Sequence, residues 1–491
     1  MKPPRLSPAV LAVVFMAVAF TGCMVGPTYK QPAAPVTPAY KEPPPDSFKE
    51  SDQWKTSKPN ADALRGKWWE IFGDAQLNAL EEQVTVSNQN LKMAEARFRQ
   101  ARTLVRYNRA AEFPTISVAP DIQALRYSPN QPYFPSNVGT GGRAGFNLPF
   151  DLSYEVDLWG RIRRTVTSAG EEAQATAADL QTVALSLHAE LAVDYYELRS
   201  SDAQKRLLDD TVKAYADMVQ LTTDLFNGGG APESDLIQAR TQLDTARVQD
   251  TDIGVMRSQY EHAIAILIGK PPAAFALPPA PLKPEPPAIP VGVPSQLLER
   301  RPDIAASERR VAEANEGIGI ARAAYFPSLV IGGTGGLEGT SIVNWFTWPS
   351  RLWAIGPTMM ETIVDGGRRR ATSEGALANY EATVANYRET ALAAFQQVED
   401  NLAALRILEQ EAQQQREAVA EARRGVQLFT DRYEAGVDPY LQVVSAQTIA
   451  LLNERNEVDI LRRRMDASVL LIKGLGGGWD VSSLPKISSM H

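Results

Sequence analysis

The chain has 491 residues, of which 58 are acidic and 50 basic, for a net charge of −8. Apolar residues make up 44% and charged residues 22%, an ordinary composition that excludes extensive disorder and collagen-like repeats. Binding to nucleic acid requires a concentrated basic surface, so nucleic acid is not an expected partner. The single cysteine, Cys23, excludes an intrachain disulfide and a cysteine-rich metal site.

The first 22 residues have the layout of a secretory signal peptide. Two cations precede an apolar run from Ala9 to Phe20, which is too short to span a bilayer stably. The Thr-Gly-Cys sequence ending at Cys23 resembles the lipobox of bacterial lipoproteins, although Phe20 stands where leucine is commoner. The resemblance implies N-acyl and S-diacylglycerol groups on Cys23. Met24 in the next position, where an aspartate would resemble an inner-membrane retention signal, favours sorting to the outer membrane.

Two proline-rich segments divide the mature chain. Seven prolines fall within residues 26–47 and ten within 271–294, and such segments are extended rather than helical. We therefore predict a lipid-anchored extended segment over 23–60, a first structural repeat over 61–270 and a linker over 271–294. A second repeat over 295–476 and a C-terminal tail over 477–491 complete the chain.

The two repeats are related by an internal duplication. Gly160-Arg161 recurs 207 residues later as Gly367-Arg368, and Gly269 recurs as Gly476. The Phe-Pro pair at 113–114 recurs at 326–327, an offset of 213. The six-residue difference is expected in loops between these landmarks.

Each repeat shows the same order of patterns. A helix is followed by two extended stretches and then by two long helices joined by a short turn. The predicted helices are 75–111, 161–226, 232–268, 296–324, 368–434 and 439–473, and the second repeat's strands are 328–337 and 353–364. A proline-, asparagine- and glycine-rich loop over 128–142 separates the extended stretches of the first repeat.

The long predicted helices exceed the size of helices in globular cores. A helix of about 65 residues is roughly 100 Å long. Apolar residues along each one recur every three or four positions, close to the 3.5-residue spacing of supercoiled helices. An ordinary coiled-coil rod is the simplest interpretation of the helices alone.

The segment 146–157, FNLPFDLSYEVD, has a pattern that a coiled-coil rod does not explain. Apolar residues from Phe146 to Val156 alternate with mostly polar ones. Such alternation over about ten residues is typical of a membrane β-barrel strand, with one face toward lipid and the other toward water. Two strands per repeat give four per chain, too few to close a barrel, and open edges in lipid are prohibitively costly. The chain is therefore expected to oligomerise, and three copies would supply twelve strands.

The sequence resembles the outer-membrane efflux factors, the TolC-like channel subunits of tripartite pumps, in their NodT-like lipoprotein branch. The resemblance is carried by Val25–Pro32 (VGPTYKQP), by Trp68-Trp69 with Phe72-Gly73-Asp74, and most specifically by Leu297–Leu329. It covers nearly all of the mature chain.

This resemblance implies a mixed α and β membrane protein. A trimeric 12-stranded outer-membrane β-barrel would continue into a long periplasmic α-helical barrel. The implied function is a gated duct that carries small molecules from the periplasm to the exterior. The implied partners are two further copies of the chain, a periplasmic adaptor, an inner-membrane pump of the RND type and outer-membrane lipid.

The two interhelical turns are the predicted adaptor-docking tip, again by the resemblance. The residues are Gly229, Gly230 and Ala231 in the first repeat, and Gly436, Val437 and Asp438 in the second. Because each turn joins two long helices, both turns are expected at one end of the rod.

The resemblance also places a gate beside the second turn. Leu441 and Ser445 lie one helical turn apart and would line a constriction, with Arg432 and Tyr433 preceding the turn. Relatives commonly carry aspartate at position 445, so Ser445 removes a ring of charge and leaves a Leu441 ring as the main barrier, acting by dewetting. A latch formed by Asp235, Arg240 and Arg432 is a further hypothesis.

Other functions remain as alternatives. A TolC-like channel for type I protein secretion would use the same duct. A periplasmic adaptor or a coiled-coil structural protein would lack the paired amphipathic strands. No enzyme, cofactor or metal motif is evident, and the glycine run 332–336 is predicted to lie in a strand hairpin rather than before a helix. The cargo is not encoded in any motif.

Overall fold

The structure, a computed structural model, describes residues 24–45, 48, 66–126, 128, 130, 141–282, 285–292 and 294–490. The predicted signal peptide, Cys23 and most of the loop 128–142 lie outside these residues. The longer helices are α1 Ala75–Ser87, α2 Gln89–Arg109, α3 Arg161–Asn227, α4 Glu233–Leu267, α5 Pro302–Ala323, α6 Arg368–Glu434 and α7 Tyr440–Gly474. The strands are β1 Thr115–Val118, β2 Asp121–Leu125, β3 Arg143–Val156, β4 Ser328–Gly339 and β5 Arg351–Met360.

The long helices confirm the duplication. Helices α3 and α6 have 67 residues each, and α4 and α7 have 35 each. Both members of each pair begin and end 207 residues apart. Helices α3 and α6 each begin directly after a glycine with positive φ, Gly160 at 79° and Gly367 at 89°, which lets the chain turn sharply from strand to helix.

The helix predicted over 75–111 is two helices, and that prediction was wrong. Asn88 is extended, with φ −63° and ψ 128°, and ends α1. Its Oδ1 accepts a hydrogen bond from the Leu91 amide, which caps α2, and its Nδ2 donates to the Leu267 carbonyl. When apolar residues recur at helical spacing on both sides, an asparagine that caps a new helix is difficult to distinguish from an asparagine inside one long helix.

The helix predicted over 296–324 also divides. A short helix, Leu297–Arg300, ends at Arg301, which is extended and precedes Pro302. Proline disfavours helical backbone in the residue before it and occupies the first position of α5. The Arg301 guanidinium then donates to the Gly474 carbonyl at the end of α7.

The strands form one antiparallel sheet with four positions. The order is β1/β2, β3, β4 and β5, because β1 and β2 both pair with β3 and are separated only by residues 119–120. The two extended stretches predicted per repeat are thus confirmed, the first with an interruption. Strand β5 ends at Met360, four residues before its predicted end. The glycines 332–336 lie inside β4 rather than before a helix.

The sheet has one apolar and one mostly polar face. Because opposite residues in an antiparallel pair share a face, the register carries the apolar face of β3 across the sheet. Residues on this face are Ile116, Val118, Ile122, Phe146, Leu148, Phe150, Leu152, Tyr154, Val156, Leu329, Ile331, Leu337, Trp353, Ile355 and Met359. Residues on the other face include Thr115, Ser117, Gln123, Asn147, Asp151, Ser153, Glu155, Thr334, Glu338 and Thr358.

The hydrophobic core lies between the helices rather than in the sheet. It joins the Trp68-Trp69 segment to the middle of α3, the ends of α4 and α7, and part of α6. The predicted apolar stripe is buried at Ala173, Ala177, Leu187, Leu191, Tyr195, Leu198, Tyr387, Ala391, Ala394, Val398, Leu402 and Leu405.

Within the part of the chain that the structure describes, none of the helices combines the length and apolarity needed to cross a membrane.

Candidate functional site

The two predicted tip turns have the same backbone conformation. Gly229 and Gly436 are equivalent, with φ of 76° and 70°. The next residue closes each turn through its amide, Gly230 donating to Leu225 O at 2.7 Å and Val437 donating to Arg432 O at 2.9 Å. We call α3 with α4 the first hairpin and α6 with α7 the second hairpin. Glycine is needed at both turns because a side chain disfavours positive φ.

The two hairpins pack against each other just below these turns. Tyr433 and Tyr440 of the second hairpin have ring centroids 5.2 Å apart and contact Met218 and Ala239 of the first. Tyr433 is only 6% exposed and its hydroxyl donates to Asp235 at 3.5 Å. Burial raises the pKa of the Tyr433 phenol. The structure thus places Tyr433, one of the predicted gate residues, with its ring buried between the two hairpins.

The predicted latch does not form within one chain. Arg432 Nε and Nη2 donate to the two carboxylate oxygens of Asp438, at 2.6 and 3.1 Å, inside the same turn. This bond lowers the pKa of the Asp438 carboxyl. Asp235 instead accepts from Tyr433 and Ser234. Among the described residues, Arg240 makes no ion pair with Asp235 or Asp438, and Asp438 pairs with Arg432 instead.

Leu441 and Ser445 lie on an accessible face of the second hairpin. The Leu441 side chain is 56% exposed and does not pack into the interior of its own chain. It borders a cleft of about 470 Å³ between α4 and α7, together with Ile237, Val444 and Thr448. The Ser445 hydroxyl donates to the Leu441 carbonyl at 2.8 Å, so it is held against its own helix. A leucine ring backed by an uncharged serine is compatible with a hydrophobic constriction.

The opposite end of the molecule joins the sheet to the helices. Asp157 follows β3 and accepts from the amides of Ile162 and Arg163 in the first turn of α3. Asp365 plays the same part at α6, accepting from the Gly367 and Arg369 amides. A carboxylate at a helix N-terminus also complements the helix dipole. The orientation of each long helix relative to the sheet is set by these contacts.

The N-terminal strap, residues 24–45, begins at this same junction. Met24 packs against Gly160, and the Val25 amide donates to Trp159 O at 3.0 Å. Arg164 Nε donates to the Val25 carbonyl at 2.8 Å. The residue directly after Cys23 is therefore fixed beside the end of β3, although Cys23 itself lies outside the described residues.

Comparison with known proteins identifies the family. The family model described as outer membrane efflux protein matches residues 80–270 and 293–477. The chain belongs to this family. The probable efflux pump outer membrane protein SepC of Pseudomonas putida is 30% identical over 479 residues, covering 96% of this chain and 98% of SepC. Outer membrane protein OprJ of Pseudomonas aeruginosa is 30% identical, with 96% of each chain covered.

Solved structures of related channels have the same fold. The outer-membrane channel OprN is 28% identical and superimposes with a TM-score of 0.84, covering 93% of this chain and all of OprN. The Campylobacter jejuni CmeC outer membrane channel superimposes with a TM-score of 0.83 over 94% of this chain and 96% of CmeC. At 21% identity, CmeC supports the fold alone.

As an outer membrane efflux protein, the chain is a transport component rather than an enzyme. It is located in the outer membrane and extends into the periplasm. The resemblance stated from the sequence and the main function derived from it are confirmed. An outer-membrane component of an efflux pump acts together with the other parts of that pump.

Sequence reasoning missed a buried ion pair in this efflux protein. Arg164 Nη1 lies 2.6 Å from Glu316 Oε2, and the two side chains are 4% and 10% exposed. The guanidinium lies directly against Gly319, where a Cβ would fall 2.3 Å from Arg164 Cδ. Two glycines, Gly317 and Gly319, in the interior of the alanine-rich helix α5 were the available signal of a close approach.

A second missed pair joins α1 to α3. His188 Nδ1 lies 2.6 Å from Glu81 Oε2, and the Trp69 ring stacks on the imidazole at 4.5 Å. Burial lowers the pKa of His188 to about 4 and raises the pKa of Glu81 well above its ordinary value. Burial likewise raises the pKa of Asp194 to about 7, with Glu190 and Glu197 adding to the effect. Glu81 and His188 lie 107 residues apart in sequence, so no local pattern indicated their contact.

Proposed function

We propose that three copies of this chain form one outer-membrane efflux duct with a closed twelve-stranded barrel. The observation that carries the proposal is the four-position sheet, whose apolar face is continuous and exposed. Each of its two outer strands has an edge that no strand of the described residues pairs with. Unpaired strand edges are not tolerated in lipid, so the edges are expected to pair with those of neighbouring copies. The apolar face then contacts lipid and the polar face lines the lumen.

The helical part is proposed to extend this lumen through the periplasm. A helix of 67 residues is roughly 100 Å long at ~1.5 Å per residue, enough to carry the duct far from the membrane. The tip residues Gly229, Gly230, Ala231, Gly436, Val437 and Asp438 are the proposed docking site for a periplasmic adaptor. An RND-type inner-membrane pump is the proposed energy source.

The proposed gate consists of Leu441 from each of the three copies, with Ser445 one turn further along α7. Exposed leucines that converge on an axis exclude water from a narrow passage. Arg432, held by Asp438, stabilises the neighbouring turn rather than carrying a barrier charge.

Lipidation of Cys23 is proposed as a separate anchor. The position of Met24 and Val25 beside the sheet end supports it, because acyl chains on the preceding residue would lie near the membrane. Each buried methylene contributes roughly 0.8 kcal/mol, so several chains anchor firmly. Palmitate labelling of wild type and its loss in Cys23→Ala test this step.

The proposed cargo is small organic molecules. Relatives in Pseudomonas putida are named as toluene, solvent and antibiotic efflux proteins. Deleting the gene should increase accumulation of a fluorescent dye such as ethidium and raise sensitivity to toluene, with both effects reversed by wild-type complementation. Unchanged dye accumulation with loss of a secreted protein from the medium would instead establish type I secretion.

The barrel orientation has its own test. Phe150→Arg places a charge on the proposed lipid face near mid-membrane and costs roughly 2–4 kcal/mol, so folded trimer should decrease on semi-native gels. Ser153→Arg, on the opposite face of the same strand, is the matched control and should assemble normally. Equal assembly of the two variants would contradict the assigned facing.

A further inference from the structure

The hairpin between β4 and β5 carries an unusual surface. We call residues Ser341–Ser350 the outer hairpin, since they lie at the end of the sheet away from the long helices. From Gly339 to Ser350 the sequence GTSIVNWFTWPS contains no charged residue. Val343 is 86% exposed and Trp348 is 76% exposed, and Ile342 and Phe346 are also largely exposed. A hairpin surrounded by water would not be expected to present so many large apolar side chains.

The outer hairpin folds over the apolar face of the sheet. The Trp345 ring is buried and lies 5.4 Å from the Phe146 ring, and its Nε1 donates to the Leu337 carbonyl. Phe146 and Leu337 belong to the apolar face. The backbone of Trp345 also lies over Gly339, where a Cβ would fall 3.1 Å from Trp345 Cα. Gly339 pairs with Phe146, so this contact is on the apolar face as well.

Several polar groups of the outer hairpin form hydrogen bonds within the hairpin. Ser341 and Asn344 form a capping box for the short helix Ile342–Trp345. The hydroxyls of Thr347 and Ser350 donate to the Asn344 carbonyl at 2.7 and 2.6 Å. Each internal hydrogen bond lowers the cost of moving the hairpin into a region poor in water, because fewer unpaired donors and acceptors have to be desolvated.

Charge and aromatic residues mark the boundary of this surface. Arg351, on the apolar face at the rim of the sheet, donates to the Trp348 carbonyl at 2.8 Å and its guanidinium stacks on the Trp348 ring. Trp353 follows on the same face and is exposed. Aromatic rings and snorkelling arginines are typical of the zone between lipid headgroups and acyl chains.

We propose that the outer hairpin inserts into the outer leaflet, with Ile342, Val343, Phe346 and Trp348 among the upper acyl carbons and Arg351 at the anionic headgroups. The occupant is lipid because the hairpin continues the apolar face proposed to contact lipid, on which this inference rests. Three such hairpins fix the height of the barrel in the membrane and lie beside the lumen mouth rather than across it.

Site-specific fluorescence tests the inference on the full-length trimer in liposomes. The environment-sensitive probe bimane is attached to Val343→Cys, and to Ile122→Cys and Gln123→Cys as controls. Ile122 and Gln123 are neighbours at the outer end of the sheet on its apolar and polar faces. Lipids brominated on the upper acyl carbons report contact with lipid, and iodide reports contact with water.

We expect lipid quenching of the Val343 probe about equal to that of Ile122 and iodide quenching about fivefold weaker than that of Gln123. Iodide quenching at Val343 as strong as at Gln123, with Ile122 still quenched by lipid, would overturn the inference and leave the barrel intact. Pyrene excimers between Val343→Cys copies would also overturn it, since the hairpins would then meet over the lumen. Absence of lipid quenching at Ile122 would count against the proposed barrel itself.

Discussion

The two long hairpins share one backbone plan and differ in what covers them. In the first hairpin, α3 buries charged and polar groups, including Arg164, His188, Arg199 and Asp202. In the second, the described buried residues of α6 are apolar or aromatic. Helix α3 packs against α2, α4, α5 and α7, whereas α6 leaves a larger part of its surface open in a single chain. The duplicated helices therefore have the same lengths, whereas the elements packed against each helix determine which side chains it buries.

Equivalent positions make the difference concrete. Arg164 corresponds to Ala371, and His188 corresponds to Phe395. Near the tip the relation reverses, because Arg432 of the second hairpin corresponds to the apolar Leu225 of the first. The buried charge of Arg164 is satisfied by a partner from another element, Glu316 of α5. Substitutions at these equivalent positions can show whether the two hairpins differ in stability and in function.

The largest expected effect is at Arg164. Arg164→Met leaves Glu316 buried without its partner and should destabilise the folded protein by about 3–5 kcal/mol, lowering its thermal unfolding temperature. It should also expose the strap to proteolysis, since Arg164 holds the Val25 and Pro27 carbonyls.

The exposed pair Arg370–Glu374 in α6 supplies the control for Arg164. Its side chains are 82% and 66% exposed, so Arg370→Met should leave the unfolding temperature unchanged. The double variant Arg164→Met with Glu316→Met removes the orphaned charge and should recover much of the loss. Equal stability of both single variants would show that the burial of charge in the first hairpin is energetically unimportant.

The next effect is on conduction. Leu441 corresponds to Ser234 in the first hairpin, so Leu441→Ser gives the second hairpin the residue of the first. If Leu441 forms the constriction, this change should raise single-channel conductance in planar bilayers severalfold and admit vancomycin into cells. The reciprocal Ser234→Leu should leave conductance unchanged. Unchanged conductance with a lower unfolding temperature in Leu441→Ser would mean that Leu441 packs between chains.

Alanine substitution of the tip glycines, Gly229 and Gly436, should lower the stability of the protein by similar amounts. A Cβ at either Gly229 or Gly436 meets no atom within 4 Å, so alanine there is unfavourable only through positive φ, by about 1 kcal/mol. Calorimetry of the two alanine variants should give similar losses. Gly425→Ala, in the interior of α6, should instead stabilise the helix by about 0.5–1 kcal/mol. Clearly unequal losses of stability in the two alanine variants would show that the two turns are not energetically equivalent.

The smallest expected effect is a pH dependence at Asp194, whose counterpart is Asn401. Its pKa of about 7 in the folded protein exceeds the ordinary 3.8, so the folded chain retains the proton over this interval. The associated stability is present below pH 3.8 and is lost as pH rises through 7. Asp194→Asn should reduce the loss of stability between pH 5 and 8 by about 1 kcal/mol, allowing for solvent screening. Asp217→Asn, on an exposed face of α3, should not change the slope.

Several parts of the fold were predictable from local sequence signals. The bounds of α6 match the predicted 368–434, because an uninterrupted apolar period of 3.5 residues between Gly367 and the glycine turn at Gly436 has few alternative structures. The strand β3 was equally clear from its alternation. The break at Asn88 was missed, since its cause is a hydrogen bond to Leu267, 179 residues away.

The tip was predicted in position but not in detail. The sequence placed Tyr433 and Arg432 beside the second turn and Asp235 beside the first, at one end of the rod, but it could not decide which side chains face each other. That choice depends on the relative rotation of the two hairpins, which packs Tyr433 inward and leaves Leu441 outward.

The sequence by itself determined the duplication, the lengths of the four longest helices, the two-faced strands and the family, because hydrophobic periodicity and breaks at glycine or proline depend on a few neighbouring residues. Only the tertiary structure decided that Arg164 pairs with Glu316, that His188 pairs with Glu81 and that the outer hairpin lies on the apolar face. Those contacts join residues that are distant along the chain. Their energies depend on burial and on the exact distance between partners, which become defined only when the helices and strands pack.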